Sequence, residues 1–90
     1  MSNAYTFSFE EQAQKRFNKL DHPTKQRLRK FINDNLVDTD NPRAKGKQLG
    51  GSLSPYWRYR IGKYRLVVEI EDDRLTVVAV KVGHRSNVYR

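Results

Sequence analysis

From Trp57 to Ile70 apolar and polar positions alternate in two successive runs. Trp57, Tyr59 and Ile61 share one parity and Arg58 and Arg60 the other, the period of a half-buried strand. Beyond Gly62-Lys63 a second run sets Tyr64, Leu66, Val68 and Ile70 against Arg65, Val67 and Glu69. Gly62-Lys63 suits a two-residue hairpin, because glycine takes positive φ without steric cost. With the aromatic and aliphatic parities on one core face, Arg58, Arg60 and Arg65 converge on the other. Adjacent guanidiniums repel, so a sheet rarely gathers three of them for stability alone. A polyanion crossing that face would explain them.

The rest of the chain supplies a frame for this hairpin. Tyr5-Thr6-Phe7-Ser8-Phe9 alternates as a first strand. Ser8 and Glu11 have the spacing of a capping box, and helical spacing from Phe9 to Leu20 turns Ala13, Phe17 and Leu20 inward. Asp21-His22-Pro23 ends that helix and starts another, about Pro23 to Val37, which buries Leu28, Phe31, Ile32 and Leu36. Asp38 to Pro42 terminates it, and a basic, glycine-containing loop runs from Arg43 to Gly51. After the hairpin, Glu71 to Arg74 turns into a last strand, Leu75 to Val82. That strand is apolar on both parities, which predicts a central position covered on both sides. The order β-α-α-β-β-β predicts one α+β domain over residues 1–90, a strand and a two-helix hairpin packed on a small, mainly antiparallel sheet.

Charge sharpens the picture. The 90 residues carry a formal net charge of +8, shared evenly, since residues 1–50 hold ten basic and six acidic side chains and residues 51–90 hold eight and four. Between Asp40 and Glu69, however, there is no acid, while Arg43, Lys45, Lys47, Arg58, Arg60, Lys63 and Arg65 all lie there. The field is local and calls for an anionic partner. Lys45, Lys47 and Lys63 are candidate nucleic-acid contacts. Cysteine is absent, which removes disulfides and thiolate chemistry and fits a cytoplasmic protein. Two histidines are too few for a His/Cys metal site, so no cofactor or metal is expected. No apolar run has the length of a membrane span.

Hydrolytic arrangements such as a Ser/His/Asp triad or a carboxylate pair find no obvious counterpart. The available material is a cationic constellation with His84, a possible acid/base, and Tyr89. Such groups suit phosphoryl transfer, which depends on positioning and on stabilising charge spread over phosphate oxygens. RNA brings its own nucleophile, the 2′-hydroxyl. Dense positive charge would also lower the pKa of a nearby tyrosine and make it a better base.

Gly46-Lys47-Gln48-Leu49, Trp57-Arg58-Tyr59-Arg60, Tyr64-Arg65-Leu66-Val67 and Val82-Gly83-His84-Arg85 with Val88-Tyr89 resemble, in order and spacing, the RelE side of the RelE/ParE toxin superfamily. The resemblance implies the toxin of a type II toxin–antitoxin pair, a metal-independent, ribosome-dependent endoribonuclease that leaves a 2′,3′-cyclic phosphate. It implies a cognate antitoxin and the ribosome as partners, with operator DNA reached only through the antitoxin complex. By position, Arg58, Arg60 and Arg65 would bind and stabilise the phosphate, Tyr89 would act as general base, and Arg85 would act on the leaving side or the transition state. Arg58 and Arg60 replace lysines of better-known members, keeping the charge but giving poor proton donors. The alternative on the same fold is a non-enzymatic ParE-like toxin that inhibits DNA gyrase through a protein surface. A plain RNA- or DNA-binding module is disfavoured, because the chain carries neither a recognition-helix nor an RNP-like signature.

Overall fold

The computed structural model describes residues 4–51 and 54–84. Strand β1 spans Thr6–Phe9, helix α1 Glu11–Asn18 and helix α2 His22–Asn35. Strands β2 (Lys47–Gln48), β3 (Tyr56–Ile61), β4 (Tyr64–Glu71) and β5 (Thr76–His84) follow, with a 3₁₀ turn at Asp72–Arg74 between the last two. They form one sheet in the order β1-β5-β4-β3-β2, antiparallel except where β1 runs parallel to β5. The architecture is the expected α+β one, with a short fifth strand added at the edge.

Several boundaries differ from those the pattern predicts. Ser8 lies in β1 opposite Val78, so it cannot cap α1. Glu10 takes that role, its carboxylate accepting the Gln12 N–H at 3.3 Å. The second helix opens one residue earlier than expected, at His22, with Asp21 at the cap position and Pro23 in the first turn, where its missing N–H has no intrahelical partner. The Thr24 hydroxyl donates to Asp21 at 2.6 Å and holds that carboxyl below its usual range. Asp38, just past the helix, adopts φ 54° and donates its N–H to the Tyr5 carbonyl, while Thr39 accepts the Tyr5 N–H. The exit of α2 is thereby tied to the start of β1.

The helices cover one face of the sheet. Phe17, Leu28, Ile32 and Leu36 pack there against Tyr59, Leu66, Val68, Ile70, Val77, Ala79 and Val82, all buried. Double coverage of the last strand is not what the fold delivers. Val77, Ala79 and Val82 are buried, whereas Val78 and Val80 are half-buried, and no described helix lies over them. No helix among the described residues is long and apolar enough to cross a membrane.

Candidate nucleic-acid interface

The open face of the sheet is built by register. Arg58 sits opposite Val67 in β4 and Lys47 in β2, Arg60 opposite Arg65, and Val67 opposite Lys81. Residues paired across antiparallel strands point to the same side, so Lys47, Arg58, Arg60, Arg65 and Lys81 share one face. Further along, the face becomes apolar at Leu49, Tyr56, Val67 and Val80, which with Lys81 line a groove of about 560 Å³. It ends in acid, with Glu69 opposite Val78 and Glu71 opposite Thr76. Positive potential is therefore concentrated at the end nearest the β3–β4 turn.

Arg65 is the unusual member. It is only 5% exposed, yet it faces another guanidinium across the strands. One Nη donates to the Tyr64 carbonyl at 3.3 Å, and its buried Nε has no hydrogen-bond partner among the described residues. A buried charge so incompletely paired destabilises a fold. An anion laid against Arg60 and Arg65 would satisfy both.

The other candidates divide. Lys45 is exposed in the loop before β2, and Lys63 is exposed at the tip of the β3–β4 turn. His84 pairs with Tyr64 on the helix-covered side, its ring edge-on to the tyrosine at 5.7 Å between centroids. That places it across the sheet from Arg60 and Arg65. Arg85 and Tyr89 lie outside the described residues.

Alternation along the sequence does not single out Lys81, and a β-bulge explains why. The register shifts between Val67 and Val68, so that Val67 faces Lys81 while Val68 faces Ala79, and Val80 is the extra residue. Parity counted from Val77 and Ala79 would bury Lys81; the bulge turns it outward. The available signal was a lone cation in a strand otherwise made of Val, Ala and Thr before its Gly-His end.

The loop that delivers Lys45 and Lys47 is held at three points. Tyr59, fully buried, donates its hydroxyl to the Pro42 carbonyl at 2.5 Å, and burial pushes its phenol far above the ordinary range, so it stays a neutral donor. Gly46 lies against the same ring, where a Cβ would stand 2.7 Å from Tyr59 Cε2. Arg43 rests over the Trp57 ring at 5.5 Å and donates to Asp72 at 2.8 Å, while Tyr5 donates to the other oxygen of that carboxylate at 2.6 Å. Arg43 is thus a brace, outside the free basic field to which the acid-free stretch assigned it.

These bonds carry a pH signature. Arg43 first and Tyr5 second hold the Asp72 carboxyl below its ordinary value of 3.8. A depressed carboxylate stabilises the fold above its unfolded value, and that stability is lost as pH falls through the folded value. Asp72 is 60% exposed, so the contribution is that of a solvent-screened pair. Asp72→Asn should flatten the acid limb of a thermal-midpoint-against-pH curve below about pH 4. An unchanged acid limb would show that the brace is electrostatically idle.

Comparison with known proteins places this arrangement. The family described as ParE toxin of type II toxin-antitoxin system, parDE, matches residues 7–89. The mRNA interferase toxin RelE of Escherichia coli K12 is 33% identical over 89 residues, covering 96% of this chain and 90% of that protein. The chain is a RelE-type toxin. Toxin RelG of Mycobacterium tuberculosis is 41% identical over 49 residues, 54% of this chain and 56% of RelG. The toxin–antitoxin complex RelBE2 of Mycobacterium tuberculosis contains a chain that superposes with a TM-score of 0.78 at 31% identity, covering 93% of this chain and 94% of that one. As a RelE-type protein it belongs to a type II toxin–antitoxin system.

Proposed function

We propose that this toxin is an endoribonuclease that cuts messenger RNA on the ribosome. The observation that carries the reading is the buried, incompletely paired Arg65 beside Arg60 on the face that also holds Arg58, Lys47 and Lys81. A sheet spends stability on such a cluster when an anion completes it, and the named relative from Escherichia coli is an mRNA interferase.

In the proposed reaction the 2′-oxygen attacks the adjacent phosphorus, the bond to the 5′-oxygen breaks, and a 2′,3′-cyclic phosphate remains. Tyr89 takes the 2′-OH proton, and Arg58, Arg60 and Arg65 stabilise the pentavalent phosphate. Arg85 stabilises the charge on the leaving 5′-oxygen, which takes its proton from solvent. Lys45 and Lys47 guide the flanking backbone. A cognate antitoxin would restrain the toxin in the cytoplasm, as the RelBE2 complex pairs toxin with antitoxin. His84, on the opposite side of the sheet, has no part in this proton path.

Primer extension on message in a reconstituted translation reaction tests the reading. Wild type should cut at ribosome-occupied codons, and Tyr89→Phe and Arg85→Ala should lower the rate by about 10²–10³-fold. Intact message alongside arrested growth, with Tyr89→Phe still toxic, would overturn it in favour of gyrase inhibition.

A further inference from the structure

We propose a second nucleic-acid site, a nucleotide-binding cleft on the helix-covered side of the β3–β4 hairpin. There Tyr64 stacks on a base of single-stranded RNA, and Arg27 and Lys63 take the phosphates that flank it. The inference builds on the reading that the chain acts on RNA, and it concerns a different surface from the one that would cut.

The cleft has a volume of about 390 Å³ and lies between the first turns of α2 and the hairpin tip. Its floor is Leu28 and Ile61, its aromatic wall is Tyr64, and its cations are Arg27 and Lys63. Among the described residues no carboxylate lines it, and neither Arg27 nor Lys63 has an ion-pair or hydrogen-bond partner. The contrast with Arg43 is instructive, since that arginine is fixed by a carboxylate and an indole.

Arg27 is nevertheless in a defined place. Gly62 has φ +60°, and a Cβ there would stand 3.0 Å from one Arg27 Nη and 3.1 Å from its Cζ. The missing side chain lets the guanidinium lie against the turn, with its donors left for a ligand. The His84 ring meets Tyr64 edge-on from the β5 side, which sets the plane of the aromatic wall. An apolar floor, a half-buried aromatic ring and two cations are the elements of a stacking platform with a phosphate clamp. A planar fork of donors matches phosphate oxygens. An acidic peptide would leave the aromatic wall without a planar partner.

Two probes test this on the whole chain. In amide-resolved NMR titrations, adenosine monophosphate should shift Gly62, Lys63, Tyr64 and the Arg27 Nε–H saturably, and inorganic phosphate should shift them far less. The second probe is a 2′-O-methyl oligoadenylate, which lacks the attacking hydroxyl. Its affinity for the double variant Arg27→Glu/Lys63→Glu should drop about tenfold or more. The log–log salt slope of its binding should also become shallower by roughly 0.7 for each phosphate that the variant no longer neutralises. Unshifted cleft resonances in wild type would overturn the proposal even if message is cut, leaving the cleavage reading intact. Shifted resonances without cleavage would keep the cleft and sink the nuclease. Equal shifts with phosphate alone would overturn the nucleotide assignment. So would variants that lose poly-glutamate binding while retaining the oligonucleotide.

Discussion

Arg65→Met should lower message cleavage by about 10²–10³-fold while leaving the fold as stable as wild type or more stable. The two halves of this expectation have one cause. Arg65 is 5% exposed, faces Arg60 across the strands and has a buried Nε with no partner among the described residues. In the free protein that charge is a burden, and replacing a buried ion by an apolar side chain of similar length is often neutral or stabilising by about 1–4 kcal/mol. In the proposed cleavage transition state the same charge would meet the extra negative charge that develops on the phosphate, and a donor already fixed in place needs no reorganisation to stabilise it. Single-turnover cleavage and urea melts on one preparation would read both quantities. A variant that melts well below wild type would show Arg65 to be a structural residue, and full activity would remove it from the site.

Tyr59→Ala should remove about 3–5 kcal/mol, a large share of the roughly 5–15 kcal/mol that holds a domain of this kind together. Tyr59 is fully buried, packs beside Phe31 at 5.7 Å between ring centroids and bonds Pro42 across the loop. Truncation opens a cavity and releases the loop that carries Lys45 and Lys47. Tyr59→Phe keeps the ring and strands the buried Pro42 carbonyl, for about 1–3 kcal/mol. Gly46→Ala forces a methyl group against the ring at 2.7 Å, for about 1–3 kcal/mol of overpacking. Because the clash is with the ring itself, Gly46→Ala should cost much less in a Tyr59→Leu background, a coupling that a double-mutant cycle of thermal midpoints measures. Additive effects would mean that glycine is required at position 46 for some other reason.

Periodicity carried most of the fold into view. Strict alternation through Trp57–Ile61 and Tyr64–Ile70 located β3, β4 and their turn, and the spacing of Phe17, Leu28 and Ile32 located both helices. A two-residue strand such as β2 leaves no period to detect. Ser8 had the chemistry of a cap, and pairing with β5 claimed it first. At the interface, alternation alone brought Arg58, Arg60 and Arg65 to one face. Lys81 escaped because a bulge reverses parity within β5, and a bulge is set by the neighbouring strand. Arg43 looked like one more free cation because its partner, Asp72, is 29 positions away. Distant pairings of this kind are decided by tertiary structure and leave no local trace.

The parallel pairing of β1 with β5 also sets when the protein can exist as a toxin. Thr6 is matched with Thr76, so the first strand made must wait for the last before the sheet closes. At a synthesis rate of about 5–20 residues per second, several seconds separate the two. Lys81 joins the basic face only with that final strand. Pairings so far apart in sequence also form slowly once both strands are available. If the toxin does cut message on the ribosome, a growing chain therefore has no complete basic face to turn on the ribosome that is making it.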